Sequence, residues 1–192
     1  MPRRSRDQSQ LRLFIAIYPP RELAEAWLGA LARFDLADHR LISPEHIHLT
    51  VLFVGSFPPR RLDEAVESVE RSVAGVRPFE LRPERMLTLP DDGALPRLVA
   101  IETDLPAALR ECRDRLVRRF ARHARRRPSE RFRPHLTLCR FHRDATPTSL
   151  DAPVDGVESA PFRVETVTLV KSTLHPKGAR HEVVHRAPFC EK

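Results

Sequence analysis

The feature that most constrains this chain is a tetrapeptide that occurs twice. HLTV begins at His48 and HLTL begins at His135, 87 residues further along a chain of 192 residues. Each copy lies in a short apolar segment, 47–54 or 134–141, whose composition predicts a strand. A helix-sized segment precedes each copy. We therefore expect two similar halves, each of which contributes one such strand.

Strand geometry gives the repeat a chemical meaning. Residues two apart on a strand project from the same face, so His48 shares a face with Thr50, and His135 with Thr137. Two imidazoles with pKa values near neutrality suit a general base and a general acid, and threonine hydroxyls can donate to anionic oxygens. If the halves pack about an approximate twofold axis, the four side chains converge on one cleft. The pattern indicates in-line attack at phosphorus, which needs no metal ion.

The rest of the chain alternates strand-like and helix-like segments. Apolar residues at helical spacing predict helices over 21–34, 60–76 and 105–125. Short β-rich runs predict strands over 11–17, 41–42, 47–54, 79–89, 97–102, 134–141, 162–174 and 182–187, with a loop over 144–161. This order predicts an α/β or α+β fold with mixed or antiparallel sheets. We expect 1–10 to be a disordered N-terminal extension and 11–192 to form a single domain.

Charge and composition indicate the class of partner and the cellular compartment. The chain has 33 Lys plus Arg against 26 Asp plus Glu, a net charge of +7, which suggests a polyanionic partner. Of these 33 cations 30 are arginines, an excess that base composition explains at least as well as phosphate recognition. Three cysteines are too few for a disulfide framework. No apolar run reaches the ~18–20 residues that cross a bilayer, and we expect a cytoplasmic protein.

With its flanking residues, the repeat resembles the paired motifs of the 2H phosphoesterases. The closest likeness is to the branch of 2′-5′ RNA ligases, or RNA 2′,3′-cyclic phosphodiesterases. The segments that carry it are the opening strand 12–17 with Pro19, the motif strands 48–55 and 134–140, and the closing region 162–172 with Gly178, Pro188 and Phe189. Together these segments extend over nearly the whole chain.

This resemblance implies a fold and an activity. The fold is α+β and bilobal (LigT-like), with two antiparallel sheets that form a V-shaped cleft, helices on the outside and a pseudo-twofold axis. The activity is hydrolysis of a terminal 2′,3′-cyclic phosphate on RNA to a 2′-phosphomonoester, with reversible joining of 2′-5′ linked ends. The implied partner is RNA with a cyclic phosphate end or a 2′-5′ linkage. No cofactor, metal or membrane is implied, and we expect a monomer.

The resemblance also assigns roles to residues. His48 and His135 correspond to the catalytic pair, the first as acid to the leaving 3′ oxygen and the second as base for water. Thr50, Thr137 and Arg140 correspond to residues that bind the substrate phosphate.

Four further positions need separate treatment. Phe14, in the opening strand, and His181, where the family often has tyrosine, are expected to line the cleft or contact the base. Strict alternation along 134–141 places Cys139 on the face of His135 and turns Arg140 away. Arg140 then reaches the cleft only if the strand end bends. An isolated cysteine in a strand is typical of packing and not of nucleophilic catalysis.

Other functions fit parts of the sequence. A non-catalytic RNA-binding module would keep the fold, but such a module usually lacks a motif histidine or threonine, and all four are present. The same site could act on another cyclic nucleotide or on a 2′-5′ linked oligonucleotide. The segment 181–185, HEVVH, matches a zinc-protease pattern. Its valines favour a strand, however, whereas that zinc site needs both histidines on one helical face.

Overall fold

A computed structural model describes residues 10–121, 132–175 and 178–190. Residues 1–9 of the predicted N-terminal extension lie outside this range, as do residues 122–125 of the third predicted helix. Within the described residues, no helix is both long and apolar enough to cross a membrane.

The described chain contains strands and helices in nearly the predicted order. They are β1 (Leu11–Ile17), α1 (Arg21–Leu31), β2 (His39–Leu41), β3 (Leu49–Phe57), α2 (Leu62–Val73), β4 (Phe79–Leu81), β5 (Pro83–Leu89), β6 (Leu98–Thr103), α3 (Ala107–Phe120), β7 (His135–Phe141), β8 (Asp151–Pro153), β9 (Phe162–Val164), β10 (Thr166–His175) and β11 (Gly178–Pro188). Proline directly precedes α1 and α3. Its fixed φ and missing N–H suit a helix start, where the first N–H groups have no partner within the helix.

Two predicted strands are each divided between sheets. The segment 79–89 forms β4 and β5, and 162–174 falls within β9 and β10. β4 pairs with β9 in a separate two-stranded sheet, whereas β5 and β10 belong to the main sheet. The predicted loop 144–161 contains the short edge strand β8. β3 also continues past its predicted end, because Gly55 takes a φ of +83° within the strand, a conformation that glycine adopts without strain.

The main sheet consists of two antiparallel halves that barely touch. Its strand order is β11-β10-β1-β3-β7-β6-β5-β8, with β2 also paired to β7. β3 and β7 are joined by one residue pair, Leu49 with Leu136. We call β11-β10-β1-β3 the first lobe, and β7-β6-β5-β8 with β2 the second lobe. The predicted α+β class with antiparallel sheets is confirmed.

The helices cover one face of the sheet and leave the other for chemistry. In β1, Leu13, Ile15 and Ile17 enter the main core, where α2 and α3 also bury their apolar faces. The alternate residues Phe14 and Ala16 form a separate small cluster with Val170 on the opposite face. This opposite face is the one on which the repeated motifs place their polar side chains.

Candidate active site

The two repeat histidines lie where the motif strands begin and are held in the same way. Nδ1 of His48 is 2.7 Å from the backbone carbonyl oxygen of His46. Nδ1 of His135 is 2.9 Å from the backbone carbonyl oxygen of Arg133. Because a carbonyl oxygen only accepts hydrogen bonds, Nδ1 carries the proton in both rings. Nε2 of each ring is therefore left to exchange a proton with a substrate.

The one residue pair that joins β3 to β7 brings the two repeats together. Leu49 pairs with Leu136 in antiparallel register, and both leucines are fully buried. Side chains alternate along a strand, so the motif residues on either side of each leucine point away from the core. Because the two strands run antiparallel, each histidine lies on the side of the threonine of the other repeat. The approximate twofold axis therefore passes between the two leucines.

The motif threonines present hydroxyl groups to this cleft. Thr50 and Thr137 are both partly exposed. Neither hydroxyl makes a hydrogen bond within the part of the chain that the structure describes. A hydroxyl can donate as well as accept, so both are available to anionic oxygens bound between the lobes.

Both motif strands contain a β-bulge directly after the threonine. Thr50 and Leu52 pair with consecutive residues of β1, which makes Val51 the extra residue. Thr137 and Cys139 pair with consecutive residues of β6, which makes Leu138 the extra residue. The internal symmetry of the chain therefore extends beyond the tetrapeptide to the irregularity that follows it.

The bulge in β7 corrects the strict alternation predicted for this strand. One extra residue moves every later side chain of the strand to the face opposite the one that strict alternation gives it. Cys139 is consequently buried in the core beside Leu138 and does not share the face of His135, so its expected packing role agrees with its position. Arg140 returns to the face of His135 and is exposed. Its positive charge is close enough to depress the pKa of His48.

The bulge in β3 gives the first lobe a different residue at the equivalent place. Phe53 follows His48 by five residues, as Arg140 follows His135. The Phe53 side chain is 73% exposed, and its ring centroid is 6.2 Å from that of Phe14. The cleft therefore carries an aromatic ring on one lobe and a guanidinium on the other.

Aromatic side chains of the first lobe surround His48. The ring centroids of Phe14, Tyr18 and His181 lie 5.1, 5.6 and 5.5 Å from that of His48. Burial lowers the pKa of His48 to about 4, against the opposing effect of the hydrogen bond to His46. Burial also raises the pKa of Tyr18. The His48 ring is consequently neutral at pH 7 in the free protein.

The structure brings both predicted cleft residues to the motif of the first lobe. Phe14 and His181 contact each other edge to face, with ring centroids 4.9 Å apart. The buried Nδ1 of His181 makes no hydrogen bond to any described residue. Burial, and then the nearby charge of His46, lowers the pKa of His181. Because 181–185 lies in β11, the zinc-protease pattern has no helix to support it. Among described residues, no group of three or more His, Cys, Asp or Glu side chains could hold a metal ion.

Sequence reasoning missed two aromatic residues of the cleft. Tyr18 is four residues after Phe14, so simple alternation along the opening strand would have found it. Phe53 was hidden by the bulge, since strict alternation from Thr50 turns it toward the core. Only its unusual exposure in the folded chain reveals it.

Comparison with known proteins agrees with this geometry. Residues 19–176 match the model of the 2′-5′ RNA ligase superfamily. The chain belongs to this superfamily. The match includes both repeats, and the family predicted from them is confirmed.

Relatives of the 2′-5′ RNA ligase superfamily align over most of the chain. A Thermus thermophilus protein named RNA 2′,3′-cyclic phosphodiesterase is 28% identical over 182 residues, which cover 92% of this chain and 89% of that protein. A Methanocaldococcus jannaschii protein of the same name is 24% identical over 180 residues, which cover 91% of this chain and 98% of that protein.

Solved structures show the same fold. A Thermus thermophilus crystal structure superposes with a TM-score of 0.79 at 24% identity and covers 94% of this chain and 99% of its own. E. coli LigT in complex with 3′-AMP superposes with a TM-score of 0.76 at 20% identity and covers 95% of this chain and 99% of its own. The predicted LigT-like fold is therefore confirmed.

Proposed function

We propose that this chain is an RNA 2′,3′-cyclic phosphodiesterase that uses His48 and His135 as a paired base and acid. The observation that carries the proposal is the matched pair of imidazoles. Each has Nδ1 bound to a backbone carbonyl two residues earlier and Nε2 left for substrate. They face one cleft from two lobes whose sheets are joined by a single β3–β7 residue pair. The relatives named for this activity support the same conclusion.

The chemistry balances with the groups present. Water attacks phosphorus opposite the 3′ oxygen, the bond from phosphorus to that oxygen breaks, and the 2′ ester remains. One Nε2 accepts the proton of the water, and the other Nε2–H donates a proton to the departing 3′ oxygen. Thr50, Thr137 and Arg140 donate to the non-bridging oxygens, whose negative charge increases in the transition state. No step requires a metal ion.

The burial of His48 favours one assignment of the two roles. A general base must start neutral, and His48 is the ring whose pKa burial lowers to about 4. We infer that His48 removes the proton from water and that His135 delivers a proton to the 3′ oxygen. This order is the opposite of the one that the family resemblance implies, and the pH dependence of the reaction separates the two.

Joining of RNA ends uses the same groups. A 5′-hydroxyl that takes the place of water attacks the same phosphorus and expels the same 3′ oxygen, which leaves a 2′-5′ linkage. The reverse reaction cleaves that linkage and regenerates the cyclic phosphate. Both directions need one neutral and one protonated imidazole, so ligation is the expected side reaction of this site.

Product identification tests the proposal. The protein is incubated in excess EDTA with a short RNA that ends in a 2′,3′-cyclic phosphate, and the new end is identified by 31P NMR and mass spectrometry. We expect a 2′-phosphomonoester. A 3′-phosphate, or turnover only after addition of a divalent metal, would contradict the proposed mechanism. Binding without turnover would instead indicate a non-catalytic RNA-binding module, and a panel of cyclic nucleotides and 2′-5′ linked oligonucleotides would identify a different preferred substrate.

A further inference from the structure

The short strand β2 places a second arginine beside Arg140. β3 and β2 pair with the same edge of β7, β3 at Leu136 and β2 farther along, at residues 139–141. In the pairing of β2 with β7, Arg40 lies directly opposite Arg140. Residues directly opposite in an antiparallel pair point to the same face, with Cβ atoms about 5 Å apart. Both side chains are exposed. The two side chains therefore leave neighbouring strands on the same face, close enough for the charge of Arg40 to act on Arg140.

This placement of two like charges has an energetic cost. Although its surface is exposed, neighbouring atoms partly desolvate the Arg140 guanidinium, and this desolvation, followed by the charge of Arg40, lowers its pKa. Arg140 makes no ion pair or hydrogen bond with a described residue that would offset this repulsion. Anionic groups bound at the two arginines would remove the repulsion, and one of them would satisfy the guanidinium donors of Arg140.

Arg133, at the other end of the same strand, shows the contrasting arrangement. It donates to Glu102, and its Nη1 is 2.5 Å from Oδ2 of Asp91. The carboxylates raise its pKa. The charge of Arg133 is thus compensated within the protein, whereas that of Arg140 is directed to the cleft.

The position of the pair relative to the catalytic groups indicates which anion binds there. Arg140 lies three residues beyond Thr137 on β7, and Arg40 lies opposite Arg140, on the edge of β7 that β3 also uses. An anion at Arg140 alone could be the cyclic phosphate itself. An RNA end, however, carries a second phosphate, the phosphodiester on the 5′ side of the terminal nucleoside. A free nucleoside 2′,3′-cyclic phosphate lacks this group.

We propose that Arg40 binds the phosphodiester that precedes the terminal cyclic phosphate, while Arg140 beside it binds the cyclic phosphate. This subsite makes an RNA strand, and not a free nucleoside cyclic phosphate, the preferred substrate class. The inference rests on the proposed function, because it assumes that the cyclic phosphate occupies the cleft between the two repeats.

The test compares two substrates that differ in the preceding phosphodiester. One is a nucleoside 2′,3′-cyclic phosphate, and the other is a dinucleotide that ends in the same nucleoside cyclic phosphate. We expect the wild type to prefer the dinucleotide in kcat/KM, and Arg40→Gln to reduce this preference by about tenfold, the loss typical of one charge-assisted hydrogen bond. Arg40→Lys, which keeps the charge, should restore part of it.

Two controls separate a local contact from the general attraction of a basic protein. Arg119→Gln removes the same charge from an exposed position on α3, in the helix layer, and should leave the substrate preference as in the wild type. A dinucleotide with a neutral methylphosphonate linkage should be a poorer substrate for the wild type but no poorer for Arg40→Gln. For the normal dinucleotide, the dependence of log kcat/KM on log salt should become shallower by about 0.7 in Arg40→Gln, the value for one single-strand phosphate contact.

The outcomes distinguish this inference from the proposed function. Equal loss on both substrates would place Arg40 at the reactive phosphate and overturn the subsite, and no loss on either substrate would also overturn it. A wild-type preference that is insensitive to the methylphosphonate would do the same. If the wild type hydrolysed neither substrate, the proposed function itself would fail. Thermal unfolding of each variant checks that the exposed substitution leaves the fold intact.

Discussion

The two lobes carry the same histidine–threonine pair but differ in the residue that the bulge after this pair brings to the cleft. In each lobe a histidine and a threonine precede a β-bulge, and the bulge brings the fifth residue after the histidine to the cleft. In the first lobe this residue is Phe53, and in the second it is Arg140. A phosphate held on the twofold axis can use the two halves equally, whereas an RNA strand has two different ends. We therefore propose that the shared residues serve the reaction and that the residues that differ orient the substrate.

The largest effect should come from the shared histidines. We expect His48→Ala and His135→Ala each to lower kcat by ~10²–10⁴-fold, the usual contribution of an acid or base group. His142→Ala, an exposed histidine just past β7, is the matched control and should retain its activity. Single-turnover rates on an RNA cyclic phosphate give the comparison. Near-full activity of either motif variant would show that the lobes are not equivalent in the reaction.

Substitution of the motif threonines should give the next largest loss of kcat, and this loss should be equal in the two lobes. Thr50→Val and Thr137→Val keep the shape of the side chain and remove the donor. Each should lower kcat by about 100-fold, as expected for one donor to a developing anionic oxygen. Serine at either position should restore most of the activity. A large loss at one threonine and none at the other would mean that the phosphate lies off the twofold axis.

The pH dependence tests the role of His48. Burial holds the pKa of His48 at about 4, below its ordinary value, so its basic form persists as the pH falls toward 4. If His48 is the base, kcat/KM rises tenfold per pH unit up to about pH 4 and then levels until another group titrates. If His48 is instead the acid, kcat/KM falls as the pH rises above about 4. Steady-state rates from pH 3.5 to 8 decide between these assignments.

Substitution of Phe53 or Arg140, the fifth residue after each motif histidine, should give smaller losses of activity that differ from each other. Arg140→Gln should lower kcat/KM by about tenfold through a lost phosphate contact, with a weaker dependence on salt. Phe53→Ala should raise KM by about tenfold, because stacking of a base on an aromatic ring contributes roughly 1–3 kcal/mol. The loss at Phe53 should be insensitive to salt and larger for a terminal purine than for a pyrimidine. The same salt dependence in both variants would contradict the division of roles.

The smallest expected effect is on stability, and it should distinguish Arg133, just before β7, from Arg140 within β7. Arg133→Gln removes the ion pairs of Arg133 with Asp91 and Glu102, so the free energy of unfolding should fall by about 1 kcal/mol, as for other partly exposed ion pairs. Arg140→Gln should leave the free energy of unfolding nearly unchanged, because it removes no ion pair with a described residue. Urea denaturation of both variants provides the measurement. A larger loss of stability in Arg140→Gln would assign it a structural role.

The sequence predicts the face that the motif histidines and threonines share, because this signal is local. Alternation along two short strands places each histidine beside its threonine, and the repeat indicates that the two pairs meet. The order of helices and strands follows from periodicity and from the prolines that begin α1 and α3. These features depend on residues close together in the chain, which a sequence shows directly.

The remaining features depend on pairing between distant segments. The bulges at Val51 and Leu138 arise from the register against β1 and β6, so alternation alone misplaced Cys139 and could not place Phe53. The division of 79–89 between two sheets depends on β9, far along the chain. The position of Arg40 opposite Arg140 depends on the pairing of β2 with β7. No local pattern in the sequence contains this information.

The central claim is that two imidazoles act as one unit on one RNA cyclic phosphate without a metal ion. The most direct test measures single-turnover rates in excess EDTA for the wild type, His48→Ala, His135→Ala and the double variant. The account predicts full wild-type activity, a large loss in each single variant, and a double variant no slower than the slower single one, because groups that act as a unit do not contribute additively. Losses that multiply in the double variant, or a wild-type enzyme that is inactive in EDTA, would contradict it.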